Sequence, residues 1–222
     1  MCLLYGLPRP LRLLGYIHHK EMFKKMVKQH VMDHWEQKLR KVAADLPSLK
    51  YFKPEYLSLA SPHPILSSAG SSPYAVIMAN VQCTMLSGRY RTEALASHWS
   101  ESGTRSCKTP FCKNHHIEED HHHILAVCGS LQTSRSRLQT FTQKYCAGIN
   151  NQEIKELITK YCSPYQPLFC QFLEDCSVLP EVIAVGQVLG EKLVHHHLFW
   201  VSRTWCYTLH RDRLKILGRW RK

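Results

Sequence analysis

A mainly α fold, with helical bundle segments arranged around a small Cys-Cys-His-Cys cluster, is what the sequence predicts. Three observations carry it. Apolar residues recur at three-and-four spacing in several segments. Prolines fall between those segments and not inside them. Finally, Cys107, Cys112 and Cys128 share one short histidine-rich stretch. With 222 residues, 44% of them apolar, the chain is long enough to bury the core of one or two domains and is no disordered tail.

Residues 1–19 read as an irregular segment, broken early by Pro8 and Pro10. From Lys20 onward Phe23, Met26, Val27, Val31, Trp35, Leu39 and Val42 lay one stripe on a helix, so 20–46 is an amphipathic basic helix. Its other face carries Lys20, Lys24, Lys25, Lys28, Lys38, Arg40 and Lys41. That face suits either plain solvation or phosphate contact. Five prolines and the Ser67-Ser68-Ala69-Gly70-Ser71-Ser72 run make 47–73 a connector with few packing residues.

Tyr74 to Leu86 is apolar enough for a buried helix, stopped by Ser87-Gly88. Thr92 can cap a short helix running through Trp99. A Cys/His-rich loop fills 101–128, and Ser130 to Tyr145 is helical, so 74–145 is one region. The C-terminal region, 146–222, is basic and helical. Asn151–Tyr161, Leu168–Cys176 and Glu181–Leu217 are its helices, with breaks at Ser163–Pro167 and Leu179-Pro180.

Lys and Arg number 29 against 17 Asp and Glu, a formal charge of +12 that calls for a polyanionic partner. RNA or DNA fits. A membrane partner is set aside, because no apolar run approaches the ~20 residues a spanning helix needs. The opening residues show neither a basic leader nor a small-residue cleavage site, so an intracellular location, nucleus or cytoplasm, is expected and secretion is not. In a reducing compartment the ten cysteines are not a disulfide framework. Cys2, Cys83, Cys146, Cys162, Cys170, Cys176 and Cys206 read as buried or incidental thiols.

Cys107 and Cys112 bracket a turn through Lys108-Thr109-Pro110-Phe111, which can bring two thiolates to one ion; Cys128 and a histidine complete the set. Three thiolates and one imidazole suit tetrahedral zinc, and a fully protein-filled set points to a structural site, a small CCHC zinc knuckle. Taking His123 gives C-x4-C-x10-H-x4-C, although His115, His116, His121 and His122 share the loop. Glu118, Glu119 and Asp120 read as a solvated stretch. His195-His196-His197 sit on a helix where neighbours point apart, so they read as structural.

Residues 203–222 interleave Arg203, Arg211, Arg213, Lys215, Arg219, Arg221 and Lys222 with Trp205, Tyr207 and Trp220 against a lone Asp212. Basic residues among aromatics can grip phosphates and stack on bases. Core packing explains the rings equally well. The candidate nucleic-acid contacts are Arg89, Arg91, Arg203, Arg211, Arg213, Lys215 and Arg219. No phosphate loop, G-x-G-x-x-G, H-E-x-x-H or G-x-S-x-G occurs, and the acids are dispersed without an adjacent aspartate pair. A helical protein-interaction adaptor, docking through the Phe23-to-Val42 stripe, is the competing reading, and a hydrolase using the histidine-rich loop is a third.

Leu86-Ser87-Gly88-Arg89-Tyr90-Arg91-Thr92, then Trp99, then the cysteine cluster, resembles the C-terminal region of non-LTR (LINE-type) retrotransposon reverse transcriptases. There the knuckle closes with an E-H-I-L-L-x-C-like run; here the stretch is His122-His123-Ile124-Leu125-Ala126-Val127-Cys128, and the resemblance selects His123 as the ligand. Leu46 to Phe52, Asp175 to Val182 and Arg203 to Arg211 are similar to the same proteins. The resemblance spans most of 30–220 and implies a tail that holds template RNA or target DNA. His122 stands where the family has an acid, and Ala126-Val127 replace heavier residues. The polymerase palm and endonuclease have no counterpart, so the resemblance implies a non-catalytic chain that partners the upstream domains of such an element.

Overall fold

The structure, a computed structural model, describes residues 20–46, 49–53, 62–97 and 103–219. The irregular 1–19 segment, Cys2, Pro47, Ser48, Pro54, Trp99, Trp220, Arg221 and Lys222 lie outside the described residues. The described residues are mainly helical and include no strand. None of these helices is long and apolar enough to cross a membrane. The chain divides into two compact units, one holding the first helix and the other Ser48–Phe52 with His63–Lys222.

In the first unit α1 spans Lys20–Asp45. Its lysine face is solvent-exposed, and side chains pair along it through Lys24 with Glu21 at 3.0 Å and Lys38 over the Trp35 ring. The helix forms where expected, but its apolar residues do not gather into one buried stripe: Phe23, Met26, Val27 and Val31 are half-buried, and Trp35, Leu39 and Val42 remain 39%, 39% and 46% exposed.

The second unit contains α2 (Pro64–Ser67), α3 (Pro73–Leu86), α4 (Glu93–Ser97), α5 (Gln132–Ala147), α6 (Gln152–Tyr161), α7 (Phe169–Asp175), α8 (Pro180–Leu189) and α9 (Glu191–Ile216). The single turn α2 corrects the expectation of a bare connector over 47–73. Pro64 presets its first turn, His63 Nδ1 accepts from the Ile65 amide at 3.2 Å, and Ile65 is fully buried. Nor do 74–145 and 146–222 part into separate regions. Helix α9 packs against α2, α3, α5, α6, α7 and α8, so both halves share one core.

The sequence of α9 explains its place at the centre. Val194, Leu198, Val201, Trp205 and Leu209 form one buried stripe and Phe199, Ser202 and Cys206 a second. A helix apolar over so wide an arc has to be surrounded. Trp205 is fully buried, edge-on to Phe169 at 5.3 Å, and its indole N–H donates to Thr142 Oγ1 at 2.9 Å. The predicted single helix over Glu181–Leu217 is in fact two. Gly190, at φ +94°, adopts a backbone that favours glycine, ends α8 and caps α9.

Helix starts otherwise follow the capping chemistry. Thr92 Oγ1 accepts from the Leu95 amide at 3.0 Å, and Asn151 Oδ1 from the Ile154 amide at 2.9 Å. On α3, Gln82 is buried and donates to the Leu173 carbonyl at 2.6 Å and to Ser202 Oγ at 2.9 Å, tying α3 to α7 and α9. Cys162, Cys170, Cys176 and Cys206 are buried free thiols, and Cys83 and Cys146 are half-buried. The second histidine run is structural, as expected: His197 bonds Tyr145 at 2.9 Å and His195 packs on Phe199.

Candidate metal centre

The loop between α4 and α5 folds on a short hairpin neck. Ser106 bridges Glu118, the Cys107 amide donates to the Ile117 carbonyl at 2.8 Å, and the Glu119 amide donates to the Arg105 carbonyl at 2.9 Å. Within it the Thr109 carbonyl accepts from the amides of Cys112 and Lys113 at 3.0 and 2.9 Å. That turn brings Cys112 back over Cys107. Phe111 seals the turn from outside: its ring lies so close over Gly129 that a Cβ there would overlap it, while 64% of the residue stays exposed.

The second pair of ligands comes from a widened turn. In an α-helix residues five apart face different sides. Over His123–Val127 the chain instead adopts a π-turn, in which the Cys128 amide reaches the His123 carbonyl at 2.6 Å. This geometry lets His123 and Cys128 face the same point, and Asp120 starts it by accepting from the His123 amide at 2.7 Å.

The four side chains converge. Their candidate ligand atoms all lie within 4.8 Å of one another, and all four residues are buried. Cys112 Sγ and Cys128 Sγ are 3.8 Å apart. A tetrahedral site with Zn–S bonds near 2.3 Å has an S···S edge of about 3.8 Å. Thr109 Oγ1 sits 3.2 Å from Cys107 Sγ and 3.4 Å from Cys128 Sγ. The interaction with Cys128, then burial, pushes the Cys107 thiol up to about 12, and the same interaction draws Cys128 down. The most telling atoms are those of His123: at 3% exposure, and apart from the approach of the ring to the Cys107 thiol, neither ring nitrogen has a hydrogen-bond partner among the described residues. Buried polar atoms left so are costly, and a cation among the thiolates satisfies one of them.

Of the five loop histidines, only His123 joins this cluster. His115 and His116 are exposed. His121 turns away to Glu174 at 3.0 Å; burial works against its charge, but that carboxylate outweighs it and raises the imidazole pKa. The expectation of a solvated acidic stretch holds for Glu118 and Asp120 but fails for Glu119, which is fully buried. Its carboxylate pairs with Arg213 and accepts from the Glu93 amide at 2.9 Å.

The basic candidates separate into three groups. Arg89 and Arg91 are exposed and have no ion pair among the described residues. Arg211 and Lys215 reach Asp212 at 3.2 and 3.9 Å, and Arg219 reaches Glu93 at 3.1 Å. Arg203 and Arg213 correct the expectation, being 1% and 2% exposed. Arg203 donates to the carbonyls of Phe199 and Ser68 at 2.9 and 3.2 Å, and Arg213 is spent on Glu119. A guanidinium so enclosed has no surface to offer a phosphate. Reading the cations of 203–222 as one phosphate-gripping set missed that the core-facing arc of α9 includes Arg203 and Arg213.

Compared with protein-family models, curated proteins and solved structures, the chain matches none of them.

Proposed function

We propose that this chain is a zinc-stabilised helical module that grips RNA or DNA through the backbone, without catalysis of its own. The observation that carries it is the buried three-cysteine, one-histidine cluster, whose ligand atoms all lie within 4.8 Å of one another. Cys107, Cys112, His123 and Cys128 would hold the ion. Filled by four protein ligands, zinc there would supply folding energy. The charge distribution supports the nucleic-acid part. Among the described residues the core takes in the acids Glu93, Glu119, Glu174, Asp175 and Asp212 but only the cations Arg135, Arg203 and Arg213, so the surface is more basic than the composition suggests.

The resemblance to the tail of LINE-type reverse transcriptases belongs to the same reading. Its Leu86–Thr92 block meets the histidine-rich loop: Tyr90 is edge-on to His121 at 5.8 Å, is buried under Arg213 and bonds His210 at 3.0 Å, and Thr92 caps α4. The upstream domains of such an element would then be a partner. A reverse-transcriptase palm in the reading frame upstream of Met1 is the expected genomic context, and an unrelated frame there would remove this part of the reading.

Labelled single- and double-stranded oligonucleotides titrated between 50 and 200 mM salt test the binding. Log affinity should fall with log salt by about 0.7–0.9 per phosphate contact. Arg89→Glu with Arg91→Glu should weaken binding and flatten the slope by roughly two contacts' worth, with the melting temperature unchanged because both side chains are exposed. Salt-insensitive binding, or none at low salt, would overturn the reading. In a second assay the chain, given primer, template, nucleotides and Mg2+, should extend nothing beyond a mock purification; extension above that level would contradict the non-catalytic assignment.

One observation favours the adaptor reading, the exposed Trp35, Leu39 and Val42 on α1. It requires a protein partner whose association survives high salt and is lost on Leu39→Asp.

A further inference from the structure

Arg135 lies on the first turn of α5, seven residues past the last cysteine of the cluster, and is 2% exposed. A buried cation normally finds a carboxylate, as Arg213 finds Glu119. Among the described residues Arg135 finds none. One terminal nitrogen donates to the Cys128 carbonyl at 2.6 Å and to Gln132 Oε1 at 3.0 Å; the other is buried without a partner. That carbonyl belongs to a residue of the cluster, so the guanidinium is seated against the last of the three cysteines.

Charge arithmetic connects the two features. A divalent ion held by three thiolates and a neutral imidazole carries one net negative charge. Enclosed in protein, that charge is as unfavourable alone as the guanidinium is. Resting on the zinc reading, we propose that Arg135 is the counter-charge of the metal centre, a positioning residue whose guanidinium, anchored on the Cys128 carbonyl, offsets the single negative charge of the loaded three-thiolate site. The site is thereby matched to three thiolates and one histidine. With two thiolates and two histidines around the same ion the cluster is neutral, and the guanidinium has nothing to offset.

The experiment measures Zn2+ and Co2+ affinity of the full chain by chelator competition at one pH, with the thiolate-to-Co2+ absorption band reporting the ligand set. Arg135→Gln should bind either ion ten- to a hundredfold more weakly, the range for losing a group that supports a metal's ligands. Arg135→Lys, which keeps the charge, should recover most of that loss. Arg203→Gln removes an equally buried guanidinium whose charged neighbours do not include the cluster; it should lower the melting temperature and leave metal affinity unmoved. In a Cys112→His background the penalty of Arg135→Gln should vanish.

Wild-type loading with unchanged affinity in Arg135→Gln would overturn the proposal, as would Arg135→Lys binding as weakly as Arg135→Gln. So would the same penalty persisting in the Cys112→His background. If Arg135→Gln does not fold, Arg135→Lys decides: a tenfold or greater loss with the charge retained refutes the role. A wild-type chain that takes up neither ion removes the zinc reading itself, a result distinct from all of these.

Discussion

Cys112→Ser is expected to abolish metal binding and to cost several kcal/mol of stability. Wild-type chain purified without added metal should carry one zinc per molecule by elemental analysis, and the variant should carry close to none. The serine hydroxyl does not ionise in the range where a thiolate does, so the tetrahedron loses a ligand and the remaining two cysteines hold the ion weakly. Structural zinc in finger peptides is worth ~10–16 kcal/mol, because there the metal is the whole core. Here the loop has other anchors. The hairpin neck, the Glu119–Arg213 pair and Lys108 on Glu93 at 2.6 Å hold it without the ion. A loss of about 3 kcal/mol is a drop on the order of 10 °C for a chain of this size. A tight chelator should lower the wild-type melt by the same amount and leave Cys112→Ser where it is. Unchanged metal content and melting in the variant would refute the site.

The metal cluster was legible because its chemistry is local. Thiolates five residues apart can meet across one turn, whatever the rest of the chain does. The choice among five histidines was not local: it depends on the π-turn that rotates His123 inward while His121 swings to Glu174. Only the resemblance to a known family selected it. The helices fared similarly. Tyr74 to Leu86, with its glycine stop, and Asn151 to Tyr161, with its asparagine cap, carry their own punctuation and came out within a residue or so. The break at Gly190 carried a signal too, a glycine followed directly by an acid that begins a new helix, but the apolar period runs through it unbroken. Single-turn α2 has too few residues for any period to register.

Charge was read least well. Composition counts an arginine the same on a surface and in a core, and α9 holds both kinds within eleven residues, from buried Arg203 and Arg213 to half-exposed Arg211. What separates them is the partner each meets across the bundle. Glu119 is 94 residues away in sequence from Arg213, and no pattern along the chain announces that pairing.

That pair gives the other large effect. Arg213→Ala should destabilise the protein by about 3–5 kcal/mol, the range for breaking a buried ion pair from one side. The cause is the group left behind. Glu119 is fully buried, and without Arg213 its carboxylate keeps, among the described residues, only the Glu93 amide as a donor. Arg213 also lies over the Tyr90 ring, 5.7 Å from its centroid, so the truncation opens a gap there as well. Combining Arg213→Met with Glu119→Gln should recover most of the loss, since the glutamine still accepts from Glu93 and no charge remains stranded. Urea melts of wild type, Arg213→Met, Glu119→Gln and the double variant form the cycle, with Arg213→Ala measured beside them. The same proteins, titrated with oligonucleotide where they are folded, should show an unchanged salt slope, because Arg213 meets Glu119 and never a phosphate. A single variant melting within about 1 kcal/mol of wild type, or a slope lowered by a full contact, would return Arg213 to the surface.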